Sequence, residues 1–272
     1  MSPGLLRPKR PRWFLAAAVC CAASVAAWGA AAWMTPWMPG RVGGLIAGTA
    51  AAAVFALDGV YAMRRRLMAW PLGTAQHWLQ LHVYGGVVAT VWVWIHVGFR
   101  WPAGQFGWWL LVLTMAATIT GLAGVWLQKW APAAMATGLT VEAIYERIPD
   151  IASRLPGEAE RVVAGASDVL QRFHATEVRP LLAEVRFSWA RVADVRSDLD
   201  RRLAPFRTVS PFLDPAERGR LADLEAIVVE QTQLEANYAL QWLLRSWLVV
   251  HVPVSLALLG VIAVHVAAVL VF

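Results

Sequence analysis

The sequence predicts an all-α integral membrane protein, and three observations predict it. The 272 residues are 58% hydrophobic and only 15% charged, a balance rare in soluble domains. Five apolar stretches each approach the about 20 residues that a helix needs to cross a bilayer. Sixteen tryptophans suit a chain with two lipid–water interfaces, where Trp gathers.

The five stretches run over about 13–34, 42–63, 79–99, 107–127 and 242–270. Residues 1–130 are thus read as four membrane helices, 131–240 as a polar insert and 241–272 as a fifth membrane helix. The first stretch follows Arg7, Lys9, Arg10 and Arg12, a basic start like that of a signal peptide. Its apolar run is too long for a typical signal core, so a retained helix is expected. Cys20 and Cys21 are adjacent within that run and read as small core or lipid-facing residues. Two neighbouring cysteines form no disulfide framework, no CxxCH offers covalent haem attachment, and four thiolates for an iron–sulfur cluster are lacking.

Charge is unevenly placed. Residues 131–240 hold thirteen Arg and seventeen acids, while the rest of the chain holds eleven basic residues and a single acid, Asp58. The basic excess belongs to membrane flanks, so no nucleic-acid partner is expected, and lipid is. The N-terminal tail and Arg64–Arg65–Arg66 are strongly basic, whereas the opposite loops carry only Arg41 and Arg100. The positive-inside rule then puts the tail, the Arg run and the insert on the cytoplasmic side, and the C-terminus on the other. Segments three and five run parallel in that arrangement.

The insert reads as mostly helical. Leu, Val, Ile and Ala recur at three- and four-residue spacing in VEAIYERIPDIASRL and EAERVVAGASDVLQRF. Asp214-Pro215-Ala216-Glu217 has the pattern of an N-cap, a Pro at the first helical position and an acid three residues beyond. From there the periodicity is unbroken into segment five, which predicts one long helix.

The chemistry lies in two histidine pairs. His82 and His96 are fourteen residues apart in segment three, and so are His251 and His265 in segment five. Fourteen helical residues rise about 21 Å and turn within about 40° of four full turns, so both members face one way at two depths. Ionisable groups in a membrane are costly and point to function. A single zinc or iron site is excluded, because histidines about 21 Å apart cannot share an ion bonded at about 2 Å. Two stacked sites of two histidines fit two low-spin b haems with bis-histidine ligation. The inner haem is expected between His82 and His251, and the outer between His96 and His265. A proton relay leaves the paired spacing unexplained. The rival reading is a haem-free membrane anchor or ion transporter, although few polar residues (Tyr84, Thr90, Ser255) accompany the histidines. A catalytic haem enzyme would need an open axial position, and four histidines for two irons leave none.

Supporting residues follow. Gly85 and Gly86, on the face of His82, are expected to give haem room, as are Gly121, Gly124 and Gly260. Arg100 and Arg245 are candidate propionate partners near the outer and inner edges. Pro253 is expected to kink segment five, and Ser255 to adjust its backbone bonding. His77 reads as interfacial and His174 as solvated. Asp58 reads as a partner of the Arg64–Arg66 run or, more sharply, as a group for proton uptake near a quinone.

HWLQLHVYGGVVATVWVWIHVGFRWP and LLRSWLVVHVPVSLALLGVIAVHVAAV resemble the haem-bearing helices of bacterial di-haem cytochrome b membrane proteins. That group is loosely similar to cytochrome b561, respiratory cytochrome b subunits and ferric reductase-like proteins. TGLAGVWLQKWAP and VEAIYERIP are similar to its uncharacterised bacterial branch with a helical cytoplasmic insert. The resemblance covers about residues 75–147 and 222–271. It implies that His82, His96, His251 and His265 are axial ligands of haem iron in an electron-transfer subunit of an oxidoreductase complex. No GxGxxG follows a strand, so the ferric reductase pattern lacks its flavin and nucleotide domain here. The resemblance therefore implies an iron–sulfur, flavin or cytochrome partner subunit, or the quinone pool, and the acidic, amphipathic insert is expected to be the partner's docking surface.

Overall fold

The computed structural model describes residues 11–60, 74–135, 145–183, 185 and 194–271. Every regular element among them is helical. Five helices are long and apolar enough to cross a membrane: α1 (Pro11–Met34), α2 (Val42–Val60), α3 (Ala75–His96), α4 (Gln105–Met135) and the C-terminal α9 (Pro215–Val271). The shorter helices α5 (Ile148–Ala152), α6 (Leu155–Val163), α7 (Asp168–Phe173) and α8 (Val195–Val209) lie between α4 and α9. The chain divides into two compact units, Met1–Trp126 with Trp247–Phe272, and Leu127–Ser246.

The first unit is built as an integral membrane protein. Large apolar side chains such as Val19, Ile46, Ile119, Leu256 and Leu270 are exposed, an outward face that lipid covers and water would not. Its core is small: Ala51, Phe55, Ala89, Ala117 and Leu258 join α2, α3, α4 and α9. Small residues suit this place, because membrane helices associate through close backbone packing rather than hydrophobic expulsion. α2 packs along α3, and so does α1, whose Ser24 accepts a hydrogen bond from Trp92 Nε1 at 3.0 Å. The Thr90 and Thr118 hydroxyls, 2.7 Å apart, join α3 to α4. Each also lies 2.8 Å from a carbonyl four residues back, Gly86 and Thr114 respectively, so one hydroxyl donates to the other and the accepting one gives its proton to its own carbonyl. Just past α3, at Gly98 (φ 67°) and Phe99 (φ 55°), the chain turns amid aromatic rings, with Phe99 stacked on Trp94, Trp101 on Trp108, and Trp94 edge-on to Trp101.

The second unit has its own apolar core, with Ile148, Leu155, Leu170, Phe173, Leu224 and Val228 buried together. Asp214 caps α9 as expected, accepting from the Glu217 amide at 2.8 Å. The Glu217 carboxylate does not turn back in a capping box. It accepts from the Ser167 amide at 2.6 Å and the Ser167 hydroxyl at 2.9 Å, fixing the residue that caps α7. Arg202 and Glu235, both nearly buried, pair at 2.9 Å, with Asp198 as a second carboxylate for Arg202. The long helix expected from Pro215 onward is continuous over 57 residues.

His174 departs from its expected solvation. It is 8% exposed and opens a wide π-type turn, His174–Val178. Burial lowers its pKa, with nearby Arg179 acting in the same direction and Glu160 opposing. The flanking polar residues suggested water, but the periodicity that buries Leu170 and Phe173 turns His174 inward as well.

Candidate functional site

The four membrane histidines come together as two pairs within the first unit. The His82 and His251 ring centres are 6.3 Å apart and their planes are inclined at 77°. The His96 and His265 rings stand 6.4 Å apart at 76°. α3 supplies one member of each pair and α9 the other, so the fourteen-residue spacing on both helices carries directly into space.

The separations match one iron between two imidazoles. A metal–imidazole bond is about 2 Å and the ring centre lies about 1.1 Å beyond the nitrogen, which places two opposed rings about 6.3 Å apart. The side-chain bonding suits this too. His96 Nδ1 lies 2.8 Å from the Gly44 carbonyl, which has only lone pairs to offer, so Nδ1 carries the proton. Nε2 is left with its lone pair for a metal. His251 Nδ1 lies 2.9 Å from Thr120 Oγ1, whose own proton goes to the Ala116 carbonyl at 2.7 Å. The hydroxyl is therefore an acceptor, and His251 takes the same tautomer. Such second partners commonly orient metal-bound histidines.

His251 is held from a further side. The Trp247 indole stacks on it at 5.3 Å and 15°, and Trp247 Nε1 donates to the Thr120 carbonyl at 2.7 Å. Gly124 lies under the Trp247 ring, where any Cβ would collide with it. Phe106 stacks on His265 at 6.0 Å. His82 Nδ1 lies 3.7 Å from Asp58 Oδ1, a charge contact longer than a hydrogen bond. Ser255 Oγ donates to the His251 carbonyl at 2.8 Å, and α9 continues through Pro253.

The glycines divide. A Cβ at Gly85 would meet Val54 and Asp58, and one at Gly86 would stand 3.3 Å from Asp58 Oδ2. Both therefore face α2 and its carboxylate. A Cβ at Gly121 would approach His251 Cε1 at 3.3 Å, whereas one at Gly260 would meet nothing within 4 Å. Gly48, which the sequence reading did not single out, presses on the ligand set: its Cβ would stand 2.7 Å from His96 Nδ1. Gly44, Gly48, Ala51, Phe55 and Asp58 recur at three- and four-residue spacing on α2. That small-residue stripe was the available signal for a supporting helix.

Arg100 is exposed just beyond α3. Arg245 belongs to the second unit, where it bonds Glu146 and lies 4.3 Å over the Tyr145 ring. That bond holds the Glu146 carboxyl below its usual range. His77 is exposed at the start of α3, with its ring and amide bonded to the capping Thr74. The Arg64–Arg66 run lies outside the described residues, so the pairing expected of it with Asp58 is not described.

No protein-family model matches the chain, and neither a curated protein nor a solved structure does. Fold and site define a multi-helix membrane protein with two pairs of half-buried histidines between α3 and α9.

Proposed function

We propose that the chain is a di-haem cytochrome b that conducts electrons across the membrane. The inner haem lies between His82 and His251 and the outer between His96 and His265. The observation that carries this reading is the repeated ring separation of 6.3 and 6.4 Å, which suits an iron with two axial imidazoles. A bound low-spin haem supplies a one-electron carrier at each pair. The protein's residues do the rest. Gly44 and Thr120 fix the protons of His96 and His251 on Nδ1. Trp247 holds the plane of His251, and Gly48 gives His96 space. Exposed apolar faces seat both pairs in a layer that excludes water and stray oxidants.

The two pairs are about 21 Å apart along a helix, within a hydrocarbon layer about 30 Å thick. Electrons pass between a cytoplasmic-side partner and a quinone or a periplasmic partner, with the chain as the membrane subunit of an oxidoreductase complex. The acidic insert docks that partner, and the basic flanks support a cytoplasmic side for it.

Purified protein reconstituted in vesicles with trapped ferricyanide tests the reading. An impermeant external reductant is expected to bleach the trapped ferricyanide, and H96A or H251A to abolish this. Equal bleaching by the variants, or none by the wild type with two haems bound, would contradict conduction.

A further inference from the structure

Asp58 is the one acid outside residues 131–240, and it lies within a membrane-spanning helix. Its side chain is 10% exposed and its Oδ1 stands 3.7 Å from His82 Nδ1. α3 makes space for it with two consecutive glycines. Side chains at Gly85 or Gly86 would approach the carboxylate to 3.6 and 3.3 Å. A carboxylate in hydrocarbon is costly, and this one is set against one candidate iron ligand. The other second partners are neutral: a backbone carbonyl at His96 and a hydroxyl at His251.

Building on the haem reading above, we propose that Asp58 is a positioning residue that makes the His82/His251 site harder to reduce than the His96/His265 site. Two effects act in the same direction. A carboxylate facing Nδ1–H raises the basicity of the imidazole and favours the higher charge on iron. Negative charge nearby also opposes the arrival of an electron. The step is the gain of one electron by the iron, with no bond made or broken. An electron shared by the two sites then rests mainly at His96/His265, which gives the conduit a downhill end on that side.

The test is a spectroelectrochemical titration of the purified full chain, with H82A and H96A used to assign each potential to its site. In the wild type the His82/His251 site is expected to have the lower potential. D58N is expected to shift that site's reduction equilibrium at least tenfold toward the reduced form, about 59 mV for one electron. The other site is expected not to move, and D58E to keep the low potential. Two haems with unchanged potentials in D58N would overturn the inference and leave the haem reading standing. So would a higher wild-type potential at His82/His251, or loss of that haem from both D58N and D58E. A wild-type chain without haem would overturn the underlying reading, a result seen before any variant is made.

Discussion

Replacing Gly48 by alanine is expected to remove one haem and leave the other. The added Cβ would stand 2.7 Å from His96 Nδ1 and 3.0 Å from Cε1. Ordinary contact begins at about 3.4 Å, so the ring must retreat by about 0.7 Å or the helices must part. The ring cannot yield freely, because its Nδ1 is bonded to the Gly44 carbonyl on the same helix. Loss of a hydrogen bond that orients a metal-bound histidine typically costs about 10–100-fold in metal affinity, or about 1.4–2.7 kcal/mol. Displacing the ligand adds to that. The assay is haem per chain by pyridine haemochrome on purified G48A, with G121A as control. At Gly121 the added Cβ would stand 3.3 Å from His251 Cε1, a contact that slight adjustment relieves. G48A is expected to hold one haem and G121A two. Two haems with a wild-type spectrum in G48A would refute the argument that Gly48 sets the position of His96.

Three other outcomes follow from the same geometry. T120V keeps the shape of Thr120 but removes the acceptor for His251 Nδ1, so haem affinity at His82/His251 is expected to fall about 10–100-fold; a titration of apo-protein with haemin that matched the wild type would contradict this. Ring planes inclined at 77° and 76° leave the two iron orbitals that overlap them nearly degenerate, so both ferric centres should show one dominant low-field paramagnetic resonance feature. A rhombic three-line spectrum would show other ring orientations. Burial lowers the pKa of His174, so the unfolded chain takes up a proton there that the folded chain resists. Its contribution to stability is complete above the ordinary value of 6.5 and is lost as pH falls from there toward the folded value. Thermal unfolding of the second unit should therefore weaken with acidity less in H174Q than in the wild type, and identical pH profiles would contradict this.

The membrane helices were legible because length and apolarity decide them almost alone. The starts of α2 and α4 fall within two residues of their expected positions, and α3 starts four residues early at its Thr74 cap. The long α9 was legible from its cap and unbroken periodicity. The pairing of His82 with His251 and of His96 with His265 followed from equal spacing on two helices taken to run parallel. The supporting contacts were not legible. Gly44 acts through its backbone carbonyl, which has no sequence signature. Thr120 is one of three threonines in a short run of α4, and only the rotation of that helix selects it. The partner of Arg245, Glu146, lies 99 positions away, beyond the reach of local pattern. His174 was misread because its neighbours are polar, while the helical face decides burial.

The most direct test of the whole account is a dithionite-reduced minus oxidised spectrum of the purified protein, with haem quantified per chain. Two low-spin b-type haems per chain are expected. H82A and H251A should lose the same one, and H96A and H265A the other. A colourless protein would contradict the account, as would a single haem that survives all four substitutions.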